Sequence, residues 1–347
     1  MKQCKKAFLA LTAALFLIHA AAAPGFAAQQ AAAAEEKPAA APPIADTIQK
    51  NLPPTLDLTT KKPEEKPVKP ATITKLTDQQ KVLLCNLANN SSNYERKAGE
   101  EAKTLNEWLK ERLKPRSFRE EIRQSGLGDW LVIKSVNQDI TNGFCGTAVE
   151  DPKTGARVFT YCGIDGNQTM DLLDSLATMF LGDSPQRHVA LDLYESCRDP
   201  KGNNYLFGLS KGGELAAEVY ALYHKQIKRL FLLNPLPIDA SRLSGEQRAA
   251  FRGNKVDALV CDGDFVWMLG DAPWEVRFIR NNRESKSFTG GHFTKSIAFN
   301  EDGSTIPEPN PYRDYPLQKQ AGILAQSGAA LLQRILRYVL PPLAGEA

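Results

Sequence analysis

The sequence is poor in the residues that cofactor and metal chemistry needs. Its 347 residues include four histidines, six cysteines and four methionines. No two cysteines stand as Cys-x-x-Cys, no glycine-rich phosphate loop is present, and no internal repeat recurs. Beyond residue 28 only His188, His224 and His292 remain, too few to support a zinc site. No cofactor and no metal are therefore expected. Net charge is also lacking. The excess of +3 is carried by Lys2, Lys5 and Lys6, which leaves forty bases against forty acids in the rest of the chain. A neutral chain argues against nucleic acid as a partner.

Those three lysines precede an apolar stretch over 7–23, followed by small residues around 21–28. Basic, apolar and small-residue regions in that order form a secretory signal peptide, here 1–28. An exported protein, periplasmic or secreted, is expected, with an uncleaved membrane anchor as the alternative. Cys4 lies before the apolar stretch, so it is not a lipoprotein-type acylation site. Residues 29–72 hold eight of the 22 prolines and no aromatic residue. Such a segment cannot bury enough apolar surface to offset its ordering entropy, so it reads as a disordered linker. Residues 73–347 suffice for one α/β domain.

Apolar periodicity orders the domain. Helices are expected over 76–89, opened by Thr77-Asp78-Gln79-Gln80, and over 98–113, ended by Pro115. Further helices are expected over 169–181, 186–197, 212–222 and 317–340. Strands are expected over 130–136, 144–149, 157–161, 205–207, 226–234 and 256–261, with weaker ones at 276–279 and 296–299. Strands alternating with helices predict a mostly parallel sheet covered on both faces. Five cysteines follow the signal segment: Cys85, Cys145, Cys162, Cys197 and Cys261. If the 151–155 turn centres on Lys153-Thr154, Cys145 faces Cys162 across a hairpin. A disulfide and two buried free thiols both fit that register.

The most informative stretch runs Phe207-Gly208-Leu209-Ser210-Lys211-Gly212-Gly213-Glu214. Gly208 to Gly212 reads G-x-S-x-G, with a strand entering and a helix leaving. This is the nucleophile elbow, a turn so tight that flanking β-carbons would strike neighbouring backbone. The helix directs its positive N-terminal end at Ser210, where an oxyanion would form. A serine hydroxyl needs a histidine to take its proton, and that imidazole needs a carboxylate to fix its tautomer. His292, in Thr289-Gly290-Gly291-His292, is the one histidine downstream at a useful distance. His224 ends the elbow's own helix and points away. Asp264, just after strand 256–261, is favoured as the acid, with Asp262 as the alternative and Asp271 more distant. Oxyanion donors are expected from the N–H groups of Lys211 and of the Gly163-Ile164 turn. The Lys211 side chain is expected to reach solvent.

These segments resemble, in order, the class 3 lipase group of α/β-hydrolases, in its bacterial lipase-like branch. Gly208 to Ala216 is similar to the branch's G-H-S-K-G-G-N-L-A elbow. Arg157 to Asp165, followed by Asp171 to Leu176, is similar to its strand, R-G-T-D turn and D-W-x-x-D helix. The resemblance spans about 76–300. It implies an α/β-hydrolase fold, a Ser210–Asp264–His292 triad, and a second oxyanion donor from the Gly163-Ile164 turn. Leu209, Cys162 and Ile164 depart from the usual His, Arg and Thr/Ser. The expected function is hydrolysis of a small-molecule or lipid carboxylic ester, with peripheral contact to the cell envelope. The alternatives are a degenerate hydrolase acting as an envelope interaction protein, and an acyltransferase with the same triad.

Overall fold

A computed structural model describes residues 69–90, 92–110, 116–138, 143–163, 184–264, 266–282, 292 and 294–310. The chain divides into two units, 1–67 and 68–347, and the described residues belong to the second. The expected signal segment, helices 169–181 and 317–340, Asp165 and Ile164 lie outside the described residues. No helix among the described residues is long and apolar enough to cross a membrane.

Among the described residues eight strands form one sheet in sequence order. They are β1 (Tyr94–Glu95), β2 (Leu131–Gln138), β3 (Phe144–Asp151), β4 (Ala156–Tyr161), β5 (Asn204–Leu209), β6 (Ile227–Leu233), β7 (Val256–Cys261) and β8 (Arg277–Ile279). Junctions from β1 to β4 are antiparallel, and those from β4 to β8 are parallel. Side chains alternate across the strands, as a two-residue repeat dictates. Tyr205, Phe207, Leu209, Phe231, Leu233, Leu259 and Cys261 enter one core. Leu206, Leu230, Leu232, Phe159 and Tyr161 enter the other. Each fully buried Leu or Phe contributes about 1.5–3 kcal/mol.

Among the described residues three helices cover the first face: α1 (Asp78–Leu87), α2 (Leu105–Lys110) and α3 (Arg116–Gln124). Three crossover helices cover the second: α4 (Pro185–Cys197), α5 (Lys211–Tyr223) and α6 (Gly245–Phe251). A mixed sheet wrapped in this way, with a strand–serine–helix elbow at β5–α5, is the α/β-hydrolase fold.

Local chemistry sets the element ends. Thr77 and Gln80 exchange hydrogen bonds as a capping box, which starts α1 at Asp78. The helix expected over 98–113 begins later, at Leu105. Gly99 takes a positive φ of 83°, Thr104 bridges to Leu131 in the sheet, and Thr104 and Glu107 then cap the helix. The weak strand expected at 296–299 is a 3-10 turn over Thr294–Ser296 followed by isolated bridges at Ile297 and Phe299. The first described residues already pack on the domain, since Trp130 Nε1 donates to Ala71 O and Ala71 N–H to Gly126 O.

The β3–β4 pairing sets Gly146 against Tyr161, so Cys145 does lie opposite Cys162. No disulfide joins them; both thiols are free and buried. The Cys162 sulfur is used along the backbone instead, accepting the Cys145 N–H at 3.1 Å and pointing its S–H at Gly143 O. Alkylation of the denatured, unreduced chain is expected to modify both residues. Recovery of a disulfide-linked peptide pair would contradict this.

Candidate active site

Residues that follow the carboxyl ends of β4 to β8 build the site. Ser210 sits between β5 and α5 with φ 57° and ψ −123°. A non-glycine residue in such a conformation costs on the order of 1–3 kcal/mol. Four backbone hydrogen bonds hold it there. Ser210 N–H donates to Leu233 O, and its carbonyl accepts from Gly213, Glu214 and Leu236. A β-carbon on Gly208 would strike the Gly212 carbonyl, and one on Gly212 would strike the Tyr161 carbonyl. The flanking glycines are therefore required by close backbone approach.

His292 Nε2 lies 2.8 Å from Ser210 Oγ, and His292 Nδ1 lies 2.6 Å from Asp264 Oδ1. Serine, imidazole and carboxylate thus form one chain of hydrogen bonds. Asp264 is fully buried, and its side-chain oxygens also accept the N–H groups of Val266 and Trp267. His292 retains 18% side-chain exposure, so its ring faces the solvent side of the site. Asp262, the alternative acid, holds the end of β7. Its N–H donates to Ile279 O, and its carbonyl accepts from Asn281. His224 caps the far end of α5 and approaches Glu246 at 3.6 Å. Burial, then the charges of Asp264 and Asp262, push the neighbouring Cys261 thiol up to about 12, so it stays protonated.

The Lys211 side chain does not reach solvent. It is 1% exposed, with Nζ 2.6 Å from Glu214 Oε2. Both residues lie in the first turn of α5, which packs on the central strands of the sheet, and the pair closes that turn with matched charge. The Lys211 amide occupies the first helical position, where no intrahelical acceptor exists. Gly163 packs on Ser210; a β-carbon there would stand 3.1 Å from Ser210 Cβ. Its N–H, one of the expected oxyanion donors, donates instead to Asn89 Oδ1 at 3.1 Å. That amide anchors the turn, and the neighbouring Ile164 lies outside the described residues.

Two residues of the site have no counterpart among the sequence-based expectations. Asn89 is the first. Asn234 is the second: a buried residue at φ 45° just after β6. Its Nδ2 donates to His292 O at 3.2 Å, and its Oδ1 accepts the Cys261 N–H at 2.8 Å. A cavity of about 450 Å3 lies between α1, α3 and the segment after His292, lined by Val82, Leu83, Asn86, Phe118, Ile297 and Phe299 among others. That volume is within the range of small-molecule clefts. Among the described residues no group of three or more His, Cys, Asp or Glu could hold a metal ion.

The fold and the hydrogen-bonded Ser–His–Asp arrangement define the structural class as an α/β-hydrolase fold. No family model matches the chain, and no curated protein matches it. Among solved structures it is similar to a fungal lipase at 13% identity and a TM-score of 0.39, covering 71% of this chain and 95% of that one. It is also similar to a Rhizomucor miehei lipase–propeptide complex, a deletion mutant, at 14% identity and a TM-score of 0.32, covering 76% of this chain and 90% of that one. The fold assignment rests on the sheet and the elbow themselves.

Proposed function

We propose that the protein is an exported serine hydrolase that cleaves a carboxylic ester, related to the class 3 lipases. The observation that carries this reading is the pair of hydrogen bonds from Ser210 Oγ to His292 and from His292 to Asp264. In the proposed reaction His292 Nε2 takes the Ser210 proton as Oγ attacks the ester carbonyl. Asp264 keeps Nδ1 protonated and stabilises the imidazolium that forms. The oxyanion is held by the N–H groups of Lys211 and Ile164 and favoured by the N-terminal end of α5. Collapse of the tetrahedral intermediate releases the alcohol, which receives its proton from His292. Water then enters by the same route, and Ser210 is freed as the carboxylic acid leaves.

The proposed substrate class draws on the cleft between α1, α3 and the segment after His292. The cleft begins at Asn90, next to the Asn89 that anchors Gly163, and its other wall starts at Thr294, two residues past His292. Val82, Leu83, Phe118, Ile297 and Phe299 offer an acyl chain apolar contacts, and Glu121 and Lys295 on the same lining offer a head group charged ones. Export follows the basic, apolar and small-residue order of 1–28. The test is a series of p-nitrophenyl esters of graded chain length on the wild type and on Ser210→Ala. Turnover that depends on Ser210 is expected. Equal turnover by both proteins would refute the reading.

A further inference from the structure

We infer that Asn234 is a positioning residue that fixes the aim of His292 at Ser210. The inference rests on the ester-hydrolase reading for its consequence in rate, but its geometry stands apart from that reading. The segment following β6 touches the backbone of Ser210 on both sides: Leu233 O accepts the Ser210 N–H at 3.0 Å, and Leu236 N–H donates to Ser210 O at 3.0 Å. Between them Asn234 reaches His292 directly and Asp264 through the backbone of Cys261. Its Nδ2 donates to the His292 carbonyl, and its Oδ1 accepts the N–H of Cys261. Cys261 O in turn accepts the Asp264 N–H at 3.0 Å. One side chain thereby joins the ends of β6 and β7 to the backbone of the histidine.

The position selects asparagine on two grounds. At φ 45° the backbone is in the left-handed region, which favours Gly, Asn and Asp. Of these three only asparagine offers a donor and an acceptor together without first taking up a proton. The partners leave no choice of amide orientation, because a carbonyl can only accept and a backbone N–H can only donate. Two of the holds on His292 lie apart from Ser210, the ring through Nδ1 to Asp264 and the backbone through its carbonyl to Asn234. With the second anchor removed, the ring can pivot about the Nδ1 bond, and Nε2 swings away from Ser210 Oγ. A misplacement of about 1 Å can cost roughly a hundredfold in rate.

The test uses the full chain with Asn234→Gly and Asn234→Asp. Glycine keeps the left-handed backbone and loses both side-chain bonds. Aspartate keeps the acceptor for Cys261 and loses the donor to His292. Four readouts are compared: ester kcat and KM, the rate of fluorophosphonate labelling at Ser210, the downfield proton resonance of His292 Nδ1–H, and the melting curve. Both variants are expected to lose about ten- to a hundredfold in kcat and in labelling rate, with KM within about twofold of wild type. The downfield resonance should shift as the ring turns about its bond to Asp264, while the melting transition is kept. For Asn234→Asp, the rate relative to wild type should rise as pH falls. Protonation of the buried carboxyl restores a donor there, whereas a merely structural defect has no such pH dependence. Unchanged labelling and an unchanged resonance in either folded variant would overturn the inference. So would a rate loss that only tracks the unfolded fraction. A resonance that depends on Asn234 in a wild type that neither labels nor turns over would leave the clamp standing and remove the ester-hydrolase reading instead.

Discussion

Replacing Asp264 with asparagine is expected to lower kcat for ester hydrolysis by about four orders of magnitude while leaving the fold intact. The carboxylate is fully buried and accepts from three donors, His292 Nδ1–H and the N–H groups of Val266 and Trp267. An amide of the same shape can accept from only part of this set. Its NH2 must face one donor, and the ring responds by turning its unprotonated nitrogen towards it. The proton then sits on Nε2, facing Ser210, and the imidazole can no longer act as a base. Steady-state kinetics on Asp264→Asn and Asp262→Asn decide the matter. The second substitution should cost far less, because His292 Nδ1 is bonded to Asp264 and the backbone of residue 262 holds the end of β7. A large loss from Asp262→Asn with near-normal kcat in Asp264→Asn would reverse the assignment.

Gly212→Ala is expected to destabilise the domain by more than about 3 kcal/mol, the upper end for an overpacked site. The added methyl group meets the backbone carbonyls of Tyr161 and Cys162. Neither can retreat, because both residues close the end of β4 in the middle of the sheet. The elbow must therefore open or α5 must shift, and either movement withdraws Ser210 from His292. Gly155→Ala is a suitable comparison with a different cause, since its added methyl group meets nothing nearby and any cost comes from its positive φ. Thermal unfolding should show a markedly lower Tm, or loss of soluble protein, for Gly212→Ala. A Tm equal to wild type would mean that the backbone approach at Gly212 is looser than described.

The strand–elbow–helix unit was legible because three local signals coincide within about twenty residues: an apolar run, two flanking glycines and a helical apolar stripe. The β3–β4 register followed from a turn of fixed length, so residues 145 and 162 could be set opposite each other. What the sulfurs do there was not legible, since a thiol accepting a backbone N–H leaves no mark in the sequence. His292 emerged because few histidines compete with it, and Asp264 because it follows a strand end. The helix α3 escaped notice because only Phe118 and Ile122 mark its buried side among seven polar residues.

Other features are invisible to local pattern because they depend on partners far along the chain. Asn234 reads as an ordinary strand stop, yet its side-chain partners lie 27 and 58 residues away. The Asn89 carbonyl oxygen meets Gly163 across 74 residues. A lysine next to a glycine pair reads as solvated, and only the packed first turn of α5 shows Lys211 sealed against Glu214.

The central claim is that Ser210 is a nucleophile activated by His292. It is tested most directly by exposing the folded protein to a fluorophosphonate probe and mapping the modified peptide by mass spectrometry. The expected result is one adduct, on Ser210, absent from Ser210→Ala and strongly slowed in His292→Gln. A folded wild type left unmodified, or modified equally well in His292→Gln, would contradict the claim.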